Sequence, residues 1–385
     1  MDSMKLVTKI IKKKNSFFNF KEGKHNCISF ILILLIVLFI LNIYELYMLF
    51  KFKKNIDKIF YLISYSNTDI RNDKISIGNI SSMNEKRKDN PNFFEEYIKK
   101  QNDFCDNPNK YFNQNYEQLI TLTNFSFQGL SYQLFVYKQY DKYMSNGIIR
   151  RGIYEPGPMS NFLEALQYYG LKRKIFNKKD IFMIDIGGNI GAHTSFIGKH
   201  GYSVITFEAS PRNYYILNKN YCNINRNSNI ILINKAISDT DKICNYFSQM
   251  DGIGNGILLC DENNKKIVVN GYHFNKTFEV SLTKLSNFFP YLSNKNLALI
   301  KLDIEGGEVK AIEDGIEYIK KMHVPFIFSE FTPGLIKKHK SDPKKYLKYF
   351  TDNGYKISKE GFFGKYFNSI EEITDGNLYF TYNGE

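Results

Sequence analysis

The stretch FMIDIGGNIG, residues 182–191, runs an apolar strand into an acid, Asp185, and then into a turn holding Gly187, Gly188 and Gly191. Continuous apolarity over 181–186 reads as a strand buried on both faces, as strands of parallel sheets are. A helical pattern follows at about 191–200. Working outward, further apolar runs lie at 203–208, 229–237, 297–304 and 324–331. Helical segments at 211–222 and 305–321 fall between them. Strands that alternate with helices make βαβ units and a mostly parallel sheet. The fold class is therefore α/β, doubly wound and Rossmann-like.

The rest of the chain is arranged around this core. SYQLFVYK (131–138) alternates as a strand, and MSNFLEALQYYGLKRK (159–174) has helical spacing with Ser160 or Asn161 as N-cap. The long piece 238–296 holds KIVVNGYHF and FEVSLTKLSNFF, which read as extra strands and a short helix. A helix in KKYLKYFTDNGY is followed by two closing strands in YKISK and NLYFTY.

Near the N-terminus the pattern is different. Asn26–Tyr44 contains no charge, and about 20 apolar residues suffice to cross a bilayer as a helix. Bulky residues follow it where a cleavage site would need small ones. The expected organisation is a basic tail at 1–25, an uncleaved transmembrane signal anchor at 26–50, a polar stem at 51–115 and a catalytic domain at 116–385. Of the net charge of +13, residues 1–60 contribute +7 (eleven Lys against four acids), leaving +6 for the other 325 residues. Basicity concentrated around an apolar span speaks for membrane topology and against a nucleic-acid partner. The larger number of lysines before the span puts the N-terminus in the cytoplasm and the domain on the lumenal or extracellular side. Sequons at Asn79, Asn124 and Asn275 suit that side. Of the five cysteines, Cys27 lies in the span. Cys105, Cys222, Cys244 and Cys260 permit one or two disulfides whose pairing stays open, and no C-x-x-C pair suggests a zinc site.

The turn itself fails as a dinucleotide fingerprint. G-x-G-x-x-G meets Asn189 in one register and Ile190 in the other. In an open parallel sheet the ligand lies outside the carboxyl ends of the strands. A carboxylate at Asp185 there would repel a pyrophosphate and suit a ligand with ammonium and sulfonium charges, such as S-adenosylmethionine. Glu208, at the carboxyl end of the next strand, can accept both ribose hydroxyls in charge-assisted hydrogen bonds. Further on, KLDIEGGEVKAIEDG places Asp303 and Glu305 at a strand end. Glu308 opens the next helix, where capping alone explains an acid.

Taken in order, D-x-G-x-N-x-G, F-E-x-x-P and D-x-E-G-x-E, with the upstream GIYEPG and the closing NLYF, make residues 120–385 resemble the FkbM-type S-adenosylmethionine-dependent methyltransferases. The resemblance implies a class I methyltransferase sheet of seven strands with the last antiparallel. It implies O-methylation of a hydroxyl on a glycan or other hydroxylated acceptor, and cofactor-binding positions at Asp185, Gly187, Gly188, Asn189, Gly191 and Glu208. One departure stands out: Thr283 occupies the place of the acid in the family's T-L-D-x-L. A hydroxyl acceptor needs a proton acceptor, and the candidates are Asp303, Glu305, Glu330 and His193. His323 is excluded because it precedes its strand. Two other readings stay open. D-T-D at 239–241 could hold a metal in a membrane-anchored glycosyltransferase, and the fold could serve a non-catalytic membrane protein.

Overall fold

In the computed structural model, the described residues are 93–383, apart from 140, 225, 227, 228, 251, 261, 263 and 270. The expected tail, anchor and most of the stem lie outside them. Among the described residues no helix is long and apolar enough to cross a membrane.

Among the described residues, fourteen strands, β1 to β14 in chain order, form three sheets. The largest has the order β13-β14-β12-β11-β3-β4-β5. It comprises β3 (Ile181–Ile186), β4 (Ser203–Phe207), β5 (Ile230–Ile233), β11 (Asn296–Leu302), β12 (Phe326–Phe331), β13 (Tyr355–Ser358) and β14 (Gly376–Tyr382). β14 runs antiparallel to both its neighbours and every other pairing is parallel. The sheet is thus mixed, with one reversed strand, as the resemblance implied. The strand order reverses between β3 and β11, and that switch point is where such sheets open a ligand crevice.

Six helices matter to the site: α1 (Phe93–Asp106), α2 (Pro156–Arg173), α3 (Ala192–Lys199), α4 (Pro211–Ile224), α5 (Glu308–Glu313) and α6 (Pro333–Lys338). Alternate residues of the central strands point to opposite faces. Ile184, Ile186, Ile300 and Leu302 join Ile312, Ile319 and Phe350 in a core on one face. On the other face lie Asp185 and Lys301, directly opposite each other in the β3–β11 register.

Several boundaries move. The run 229–237 splits into β5 and β6 (Ala236–Ser238), and 305–321 breaks at Gly315 into two short helices. α2 starts at Pro156, ahead of the expected caps Ser160 and Asn161, because proline's fixed φ and missing N–H suit the first helical turn. The stem also ends earlier than 115. Gln101 of α1 is buried and bonds both ways to β5, donating to the Ile230 carbonyl at 2.7 Å and accepting from the Leu232 N–H at 3.0 Å. A disulfide joins Cys105 to Cys222 of α4. Residues from 93 onward therefore belong to the domain.

The insertion 238–296 supplies most of a second sheet, with order β6-β10-β7-β8 and β9 on β10. β7 (Ile243–Gln249), β8 (Gly252–Leu259), β9 (Lys266–Val269) and β10 (Tyr272–Lys284) pair antiparallel. The Cys244–Cys260 disulfide links β7 to the residue after β8.

Candidate active site

A cavity of about 580 Å³ opens at the carboxyl ends of β3, β4, β11 and β12, with the small sheet on its far side. That volume is ordinary for a small-molecule site. Of the expected cofactor residues, Gly187, Asn189 and Glu208 line it; of the expected catalytic ones, Asp303, Glu305 and Glu330 all do.

Asp185 is placed otherwise than the sequence suggested. Its carboxylate is fully buried beneath the turn. One oxygen takes Lys301 Nζ at 3.0 Å and the other the Thr194 hydroxyl at 2.7 Å. Lys301 is 1% exposed, also donates to the Gly187 carbonyl at 2.9 Å, and stands 3.4 Å from an Asp303 carboxylate oxygen. Of the two aspartates beside Lys301, the one that meets the cavity is Asp303, whose side chain is 27% exposed. Asp185 therefore holds the lysine that holds the turn and the second acid. The sequence carried one sign of this: a lysine inside the otherwise apolar run LALIKLDI. A buried lysine is rare unless paired.

The glycines allow close packing of the turn on its neighbours. Gly187 has φ +86°, and a Cβ there would lie 1.8 Å from the Asp303 carbonyl oxygen. A Cβ on Gly188 would lie 2.2 Å from Thr206 Cγ2, and one on Gly191 2.4 Å from Leu217 Cδ1. The missing side chains let the turn press onto its own neighbouring elements. Gly188 and Gly191 are accordingly absent from the cavity wall.

Glu208 is fixed by main chain. It accepts the Asn189 N–H at 2.7 Å and the Ser210 N–H at 2.8 Å, with Asn213 Nδ2 at 3.3 Å. Burial raises its pKa to about 7, although those bonds pull the other way. Two carboxylate oxygens offer about four lone-pair sites, so these three bonds leave room for a ribose hydroxyl. Asn189, at φ +49°, has its side-chain oxygen buried with no partner.

The three expected catalytic acids differ in charge. Burial opposes ionisation of Asp303, yet Lys301 and a hydrogen bond from Glu330 hold its pKa below the ordinary value. The Asp303 charge, followed by burial, raises Glu330 to about 10. Burial and then Asp303 raise Glu305 to about 8. At neutral pH Asp303 is thus the ionised member, and Glu330 keeps the proton it shares with it. Glu308 does not cap its helix but braces the turn before it, accepting the Ile304 and Gly306 N–H groups at 3.1 and 3.3 Å.

His193 is 3% exposed, and burial lowers its pKa to about 4. Its Nε2 is 3.4 Å from Glu155 Oε2 but without hydrogen-bond alignment. Glu155, from GIYEPG, lines the cavity, with burial raising its pKa to about 7. It was not among the expected site residues. His323 precedes β12, as its exclusion requires, and packs beside Tyr382. Thr283 is buried in β10 and accepts from Asn287 Nδ2 at 3.3 Å, outside the cavity wall. Asp239 accepts from Ser238 and Asp241 from Asn287, so the two acids of D-T-D are engaged separately. Among the described residues no group of three or more His, Cys, Asp or Glu could hold a metal ion.

The switch-point crevice, the turn and the acids at successive strand ends make a ligand site of the α/β class, and the family model makes it a methyltransferase. The chain carries a methyltransferase FkbM domain, the model of which matches residues 185–357, and S-adenosylmethionine is its cofactor. Its site fits that group: Glu208 and the unpartnered Asn189 oxygen offer acceptors, and Asp303 and Glu155 offer negative charge. No curated protein matches the sequence. Solved structures with some likeness include an O-methyltransferase from Bacillus cereus in complex with SAH, 13% identical, covering 57% of this chain and 80% of that one at a TM-score of 0.29. A SAM-dependent O-methyltransferase from Thermotoga maritima is 11% identical, covering 66% and 74% at 0.31. A SAM-dependent methyltransferase from Agrobacterium tumefaciens is 8% identical, covering 68% and 71% at 0.33. These likenesses are distant, and nothing about this chain rests on them.

Proposed function

We propose that this methyltransferase acts on a hydroxyl oxygen of a glycan or other hydroxylated acceptor, and that residues 26–50 anchor it in a membrane with the N-terminus cytoplasmic and the domain lumenal or extracellular. The observation that carries the O-methylation reading is the ionised Asp303 facing the cavity beside the protonated Glu330.

Bound S-adenosylmethionine supplies an electrophilic methyl group on a positively charged sulfur. The chain's share of the work is alignment and proton transfer. Glu208 and Asn189 orient the nucleoside, and Asp303 and Glu155 balance positive charge. The Asp303 carboxylate would accept the proton that the acceptor hydroxyl loses as the methyl group leaves sulfur for that oxygen, the sulfur keeping the electron pair of the broken bond. Lys301 keeps Asp303 ionised, and Glu330 returns a hydrogen bond to it. The disulfides Cys105–Cys222 and Cys244–Cys260 support the topology, since such bonds persist in oxidising compartments.

The test is transfer of labelled methyl groups to a panel of glycans, lipids and small hydroxylated compounds. Asp303→Asn should lower the rate about 100-fold or more while S-adenosylhomocysteine still binds. An unchanged rate removes Asp303 as the base. For topology, protease treatment of sealed microsomes should leave the domain intact until detergent is added; digestion without detergent reverses the orientation.

A further inference from the structure

Away from the strand-end acids, the cavity wall is formed by α5, α6 and the residues after α6, which present Lys310, Lys338 and His339. His339 is 7% exposed. Its Nε2 is buried without a hydrogen-bond partner. Burial, then the charges of Lys310 and Lys338, lower its pKa to about 4. The ring is neutral, so one of its two nitrogens carries a lone pair. A buried polar atom left without a partner is costly, so a structure that keeps one has a use for it.

The two lysines are unspent as well. Among the described residues no ion pair engages either of them. Glu313, the carboxylate that feels Lys310, is already bonded to Lys345 Nζ at 2.7 Å and the Tyr349 hydroxyl at 2.6 Å. The acids nearby do not cancel this charge, because Glu305 and Glu330 are protonated at neutral pH and Asp303 faces Lys301. The wall therefore offers one hydroxyl acceptor flanked by two ammonium groups.

We propose that the methyl acceptor is a polyhydroxylated anion, with one hydroxyl donating to His339 Nε2 and a carboxylate or phosphate of the same molecule meeting Lys310 and Lys338. The inference rests on the methyltransferase reading and names the substrate class for that site. His339 binds a hydroxyl here; the reacting one is left to Asp303.

The experiment is calorimetric titration of the full chain in detergent, saturated with S-adenosylhomocysteine. The probes are a galacturonate trisaccharide, glucose 6-phosphate, maltotriose and glucose. A charged probe should bind about tenfold tighter than its neutral counterpart, and the two charged probes separate carboxylate from phosphate. Lys310→Gln/Lys338→Gln should abolish that preference, and His339→Phe should weaken the charged and neutral probes together. Equal binding of charged and neutral probes, no binding of either charged probe, or a preference that survives the lysine double variant overturns the proposal. Failure of the wild-type chain to bind S-adenosylhomocysteine overturns the methyltransferase reading, and the inference falls with it.

Discussion

The carboxyl edge of the large sheet and the small sheet over 236–284 line the same cavity but are held by opposite means. The edge is dry and polar. Asp185, Lys301 and Thr194 are buried and satisfy one another, although Asp185 and Lys301 are 116 residues apart in the chain. The small sheet is more open, with Ile243 at 68%, Val268 at 56% and Tyr272 at 49% exposure, and a disulfide between residues 16 apart closes it locally. A site whose cofactor half must keep charges in place is set by long-range register. The small sheet rests on hairpins and a staple.

The largest expected effect breaks the edge. Lys301→Met strands the Asp185 charge in the interior, and losing one partner of a buried pair costs about 3–5 kcal/mol. Thermal unfolding should drop by on the order of 10 °C, and adding Asp185→Asn should restore part of that. If Lys301→Met unfolds like wild type, the buried network is not what holds the edge. Next comes the staple. Cys244→Ser/Cys260→Ser opens a loop worth about 3 kcal/mol by chain entropy, and it should loosen the small sheet while S-adenosylhomocysteine affinity stays within about twofold. Equal losses of stability and cofactor affinity would mean that the two regions act as one unit.

A smaller change separates binding from folding. Glu208→Gln removes a charged acceptor worth about 1.5–3 kcal/mol. Calorimetry should show S-adenosylhomocysteine binding weakened by roughly 10-fold to 100-fold, and an unaltered affinity would take Glu208 out of the cofactor site.

The smallest effect is a dependence of stability on pH. Folded pKa values are raised to about 7 for Glu155, Glu208 and Glu308, about 8 for Glu305 and about 10 for Glu330. Across those intervals the folded chain binds more protons than the unfolded one, so stability falls as pH rises. His193 and His339, lowered to about 4, act in the other direction, but only up to the ordinary histidine value of 6.5. Without cofactor, the melting temperature should therefore fall between pH 6.5 and 9. A flat or rising profile would show that these carboxyls ionise in the fold at little cost.

How much of this was legible follows from the forces involved. The strands of the large sheet were readable because burial on both faces leaves continuous apolar runs. The small-sheet strands were readable only as extra strands, since one exposed face mixes polar residues into them. The acids at strand ends could be named because a strand-to-turn transition is local. Their roles could not. Asp185 looked open to a ligand, and the structure gives it to Lys301; Glu155 and His339 were overlooked because what marks them is burial and an absent partner.

The sequence by itself determined the α/β class, the mostly parallel order and the methyltransferase family, because apolar periodicity and a glycine turn are properties of neighbouring residues. Only the tertiary structure decided which acid faces the cavity, which carboxyl keeps its proton and where unpaired lysines meet a neutral histidine. Charge and proton affinity depend on burial and on partners within a few ångströms, and folding brings those partners from elsewhere in the chain, 116 residues away for Asp185 and Lys301.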